Sequence, residues 1–190
     1  VMLLITGALA SLIKITSSIS IITVMMVSII NIFLKEEHQY YKRWQSKQFI
    51  LISCGILLIT SLWYVYSSYL NEVQKSGVFL MNTNPPGSFH ELIFNIKFIW
   101  YRFSNLYYHT SFFIMLSVST ALLIFYIRKA DKLLLLITIS LYLGSAIFMG
   151  MMARQYLHHE YYIITLMPAF FFQLLCTIEV IKRKFNKKYI

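Results

Sequence analysis

The chain has 190 residues, of which 58% are hydrophobic, 17% aromatic and only 13% charged, and its 17 Lys and Arg against 7 Asp and Glu give a formal net charge of +10. A soluble globular domain carries roughly 25% charged residues. This balance, with a mean hydropathy of +0.66, excludes a cytosolic enzyme, a disordered chain and a disulfide-stapled secreted domain, and fits an all-α polytopic membrane protein.

Val1–Ile13 is apolar from its first residue, with no basic n-region and no signal-peptide cleavage pattern. It reads as a partial first helix, and the chain as a single membrane domain over residues 1–190, the C-terminal fragment of a longer protein. Five complete apolar runs follow, Ser17–Leu34, Gln48–Ser67, Thr110–Ile127, Leu133–Met152 and Tyr161–Ile181, each 18 to 21 residues long. About 20 helical residues cross a hydrocarbon core of ~30 Å. Lipid satisfies no backbone polar group, so each run is expected to be a helix. Cys54 and Cys176 both lie inside such runs and read as small core hydrophobes rather than as a disulfide or metal pair.

The linkers alternate in charge. Twelve of the seventeen basic residues fall in Lys35–Lys47, Arg128–Lys132 and the tail after Ile181. The positive-inside rule then places those loops and the C-terminus in the cytoplasm of an inner (plasma) membrane. The Lys14 turn, Ser68–His109 and Ala153–Glu160 face outward. This use of the basic residues also removes the case for a nucleic-acid partner. Glu179, the one acid inside a span, stands three and four residues before Lys182 and Arg183, a spacing that pairs them on a helix.

Within the long outer segment, Asn82-Thr83-Asn84-Pro85-Pro86-Gly87 is a breaker cluster. Ser88 and Glu91 give the S-x-x-E pattern of a helix start. Phe89, Leu92, Ile93, Ile96, Ile99, Trp100, Phe103, Leu106 and Tyr107 follow at helical spacing. The expectation is an amphipathic helix on the outer membrane surface, either a plain anchor or a lid over a site.

Two outward turns could carry chemistry. In Gly7–Thr16 (GALASLIKIT) Lys14 is a lone cation between apolar segments, either snorkelling or holding an anion at headgroup level. In Arg154–Tyr162 a cation, two imidazoles, a carboxylate and three phenols are crowded together. If that turn is helical, Arg154, His158 and Tyr161 or Tyr162 share a face able to bind phosphate through charge-assisted hydrogen bonds. His159 and Glu160 would point elsewhere, towards a sugar hydroxyl or solvent. The plainer reading of this turn is an aromatic belt with a stray Arg. Adjacent histidines on a helix stand about 100° apart and chelate one ion poorly. No cofactor is expected, and a divalent metal is not favoured by the spacing.

The runs GALASLIKIT and RQYLHHEYYIITLMPAF resemble segments of GT-C superfamily membrane glycosyltransferases, in the branch similar to protein mannosyltransferases and aminoarabinose transferases. Their order and separation match. Ile rather than Thr precedes Lys14, and the Gly/Ala pattern is loosened. The resemblance implies an inverting transfer of sugar from a dolichyl- or undecaprenyl-phosphate donor on the outer face. It implies donor-phosphate binding by Lys14, Arg154 and His158, and a pocket shaped by His159, Glu160, Tyr161 and Tyr162. The catalytic acid of such enzymes lies in the first outer loop, expected before Val1, and Glu72, Glu91 and Glu160 do not match its motif. The competing readings are a transporter or assembly subunit with no enzymatic activity, which would place polar or broken helices at the bilayer midplane, and an oligosaccharide polymerase or ligase.

Overall fold

The computed structural model describes residues 2–13, 17–34, 39–75, 84–158 and 160–185, the side chains of 13, 106, 107, 160, 161, 163 and 185 excepted. Every regular element among them is helical. The chain packs as two compact units, Val1–Thr83 and Asn84–Ile190.

The first unit holds α1 (Met2–Ile13), α2 (Ser18–Phe33) and α3 (Arg43–Gln74). Both α1 and α2 pack on α3. Gly7 permits the α1 contact, since a Cβ there would stand 2.6 Å from Ile56 Cδ1. Small residues let membrane helices approach in this way. The α2–α3 connection is fixed by Asn31, which is fully buried. Its amide donates to Tyr41 O and Ser46 Oγ, both at 2.8 Å, and its Oδ1 accepts from Tyr40 N at 2.7 Å. Ser28 Oγ and Tyr41 OH, 2.9 Å apart, close the clamp.

The second unit begins with the breaker cluster and α4 (Phe89–Arg102), which runs into a π-helical turn (Phe103–Tyr107). Three helices follow: α5 (Thr110–Phe125), α6 (Lys132–Met151) and α7 (Met167–Phe185). Ser88 caps α4, its hydroxyl accepting from Glu91 N at 3.2 Å. The α4 and π-turn segment makes an angle of 110° with α5. The break falls just before Thr110, where the sequence places the start of the next apolar run, and the two helices together count as at most one span. Asn95, Ile99 and Phe103 are buried, while Phe89, Ile93, Ile96 and Trp100 stay exposed. The apolar stripe therefore has two parts, one on protein and one left for an apolar surrounding.

The α5–α7 seam is polar. Gln173 Nε2 donates to Leu116 O (3.0 Å), Ser119 Oγ (3.1 Å) and Thr120 Oγ1 (2.9 Å), and its Oε1 accepts from Tyr142 OH of α6. Ser119 Oγ and Thr177 Oγ1 lie 2.6 Å apart. Between α6 and the segment before α7, Ser145 Oγ donates to Thr165 O at 2.8 Å. These groups satisfy one another, as polar glue between apolar helices does.

Three helices, Arg43–Gln74, Lys132–Met151 and Ile164–Lys184, are long and apolar enough to cross a membrane, and four if the bent pair counts as one span. The expected runs Ser17–Leu34 and Thr110–Ile127 each yield 16 helical residues, about 24 Å of helix. The run Gln48–Ser67 is instead the middle of a 32-residue helix, about 48 Å long.

Candidate functional site

The site is assembled where the breaker cluster meets the end of α6. Asn84 N donates to Met151 O at 3.0 Å, and Arg154 N donates back to Asn84 O at 3.2 Å. These two backbone bonds lay the Pro85-Pro86-Gly87 turn beside Arg154. Arg154 Nη2 donates to Glu91 Oε2 at 2.7 Å, and its Nε donates to Oε1 of the same carboxylate. This is the bidentate guanidinium–carboxylate fork. Gly87 N is the third donor to this carboxylate, reaching Oε2 at 2.7 Å. A Cβ on Gly87 would stand 2.8 Å from Arg154 Nη2, so a glycine there gives the guanidinium its room.

The Arg154 guanidinium, and after it the Gly87 amide, hold the Glu91 carboxyl down at about 2 against an ordinary 4.5. Hydrogen bonding to Glu91 raises the Arg154 guanidinium in turn. The pair is not sealed from water, with side chains 43% and 30% exposed for Arg154 and Glu91. One helical turn beyond Glu91 on α4, Asn95 is buried, and neither its carboxamide oxygen nor its nitrogen has a hydrogen-bond partner among the described residues.

The same unit holds a hydrophobic core of Ile99, Phe103, Met152, Tyr156 and Tyr162, with Phe148 and Leu166 packed against it. The Tyr156 and Tyr162 rings are 5.3 Å apart. Tyr162 OH donates to Gln155 Oε1 at 2.6 Å, and Tyr156 OH meets Thr165 Oγ1 at 2.8 Å.

The expected residues fare differently. Arg154 is at the centre of the site, but it is engaged by Glu91. From the sequence, Glu91 is expected to help start α4 and to be an outward carboxylate that does not match the catalytic-acid motif. Sixty-three positions separate Glu91 from Arg154, and no spacing rule links residues so distant. Tyr162 is a buried core residue. His158 is exposed at the end of a single 3-10 turn, Gln155–Leu157. Residues 160–166 form a second 3-10 segment, so the α-helix on which Arg154, His158 and Tyr161 or Tyr162 would share a face is not continuous over the described residues. A 3-10 helix has three residues per turn and places i and i+4 on different sides. Lys14 and His159 lie outside the described residues, as do the side chains of Glu160 and Tyr161. Among the described residues, no three His, Cys, Asp or Glu side chains gather where one metal ion could be held. No protein-family model, curated protein or solved structure matches the chain.

Proposed function

We propose that this chain is the C-terminal membrane portion of a glycosyltransferase that takes its sugar from a polyprenyl-phosphate donor at the outer face of the plasma membrane. In this reading the five apolar runs span the bilayer after a partial first one, the basic loops and C-terminus are cytoplasmic, and α4 lies along the outer surface. The observation that carries the reading is the state of Arg154. Its contact with Glu91 takes the Nε and Nη2 edge, while the side chain keeps 43% of its surface exposed. A guanidinium has five N–H donors, so Nη1 can donate to a phosphate oxygen while Glu91 fixes the plane of the group. Stabilising charge on a departing lipid phosphate is an electrostatic task that suits a pre-oriented cation. His158, exposed nearby in the chain, is the second proposed donor to that phosphate. His159, Glu160 and Tyr161 are proposed to face the sugar.

The test is retention of a short-chain polyprenyl phosphate by the purified protein in neutral detergent. Arg154→Ala is expected to weaken binding by about tenfold or more, with helix content unchanged by circular dichroism. Arg154→Lys keeps the charge but not the fork and is expected to recover only part of the loss. Equal retention by all three proteins would overturn the proposal.

A further inference from the structure

At the other end of α6, Arg183 staples the α5–α6 turn to α7. Arg183 Nη2 reaches Asp131 Oδ2 at 2.8 Å and its Nε reaches Glu179 Oε1 at 3.1 Å. Its Nη1 donates to Lys129 O at 3.4 Å. Asp131 is also the N-cap of α6, accepting from Leu133 N and Leu134 N at 3.0 and 3.1 Å. Arg183 therefore engages both carboxylates of this end. Lys182 reaches the remaining Glu179 oxygen only at 3.9 Å. Lys184 Nζ is held 4.1 Å over the Tyr126 ring.

Arg128, Lys129 and Lys132 lie in the turn that carries this staple, and all three are exposed. The last turns of α5 and α7 that lead into this end also leave large apolar side chains uncovered: Ile124, Phe125 and Ile127 at the end of α5, Ile178 and Ile181 on α7. Cations on a stapled turn bordered by bare hydrocarbon side chains match an amphiphile with an acidic head and acyl chains. A soluble anion would gain nothing from the apolar border.

We propose that the α5–α6 turn and the C-terminal end of α7 form a docking site for an anionic phospholipid, with Arg128, Lys129 and Lys132 on its headgroup phosphate and Ile124, Phe125 and Ile178 against its chains. Each basic residue near a membrane surface strengthens such attraction by about fivefold. The inference needs a membrane-embedded chain but not glycosyl transfer.

The test uses the whole chain reconstituted in vesicles of equal parts phosphatidylcholine and phosphatidylglycerol. Trace spin-labelled lipid of either headgroup reports which one the protein holds at its boundary. Spin-labelled phosphatidylglycerol is expected to be immobilised more than about tenfold over phosphatidylcholine. Lys132→Gln should cut that preference by about fivefold, and Arg128→Gln/Lys129→Gln/Lys132→Gln should abolish it. Lys75→Gln/Lys97→Gln/Arg102→Gln, which removes equal charge elsewhere, should keep it. Equal immobilisation of the two lipids by the unaltered protein would overturn the proposal without any variant. So would an equal loss in both triple variants, or displacement of phosphatidylglycerol by inorganic phosphate at constant ionic strength. None of these outcomes depends on Arg154, so failure here and failure of the proposed donor site are separable.

Discussion

At the scale of single residues, the sequence marks Arg154 but not what it does. A cation in a crowded polar turn invites an anionic ligand, and the fold supplies an internal one, Glu91, from α4. Glu91 itself was legible only as part of a helix-start pattern. That pattern is realised in half, since Ser88 caps Glu91 N while the Glu91 side chain takes the Gly87 amide and Arg154. The pair has a pH signature. The folded Glu91 carboxyl titrates at about 2 rather than 4.5. Its contribution to stability is therefore complete above pH 4.5 and is lost as the pH falls through 2. Thermal unfolding in detergent should show a midpoint that drops across that window in the unaltered protein and drops less in Glu91→Gln. Parallel curves would mean that the fork does not persist in solution.

At the scale of elements, α4 and the α5 start at Thr110 were legible because a breaker cluster, a cap and a periodic stripe mark them. The lengths of the other helices were less so. Nothing between Arg43 and Gln74 forbids helix, so α3 continues past both ends of its apolar run, and hydropathy reports only the middle. The α6–α7 connection was missed as a pair of 3-10 segments because residues Ala153–Leu166 contain no Gly or Pro. Its geometry comes from tertiary bonds such as Tyr156 to Thr165. The polar seam was missed for a similar reason. Gln173, Ser119, Thr120 and Tyr142 are diluted among apolar neighbours, though Gln173 and Thr177 at i and i+4 were a readable sign. The groups of this seam satisfy one another and tie three helices together. Gln173→Leu should accordingly cost about 1–2 kcal/mol of unfolding free energy. In a double-mutant cycle its effect should be strongly non-additive with that of Tyr142→Phe. Additive effects in that cycle would remove Gln173 as the keystone of the α5–α6–α7 contact.

At the scale of the whole molecule, composition alone carried the class, since an all-helical chain this apolar has few surroundings other than lipid. The direction in which it crosses rests on loop charge, and loop charge can be tested without reference to any activity. The two cysteines make the experiment tractable, as Cys54 is exposed and Cys176 buried, so Cys54→Ser leaves a chain with one shielded thiol. Single cysteines are then placed at Ser88 and Leu157, at the α4 end of α6, and at Arg128, beyond its other end. Lys132–Met151 supplies 20 helical residues between the two ends, about 30 Å, which is the thickness of the hydrocarbon core. In sealed inside-in vesicles or intact cells, an impermeant maleimide should label Ser88→Cys and Leu157→Cys directly and Arg128→Cys only after permeabilisation. The reverse pattern would keep α6 as a span but invert the positive-inside assignment, moving Arg154 to the cytoplasm and ending the proposed outer-face chemistry. Labelling of all three from one side would mean that α6 does not cross at all. In that case the apolar surface of the second unit would have to be covered by protein rather than lipid, because exposed residues such as Leu143 and Ile147 on α6 form too large an apolar face to be left in water.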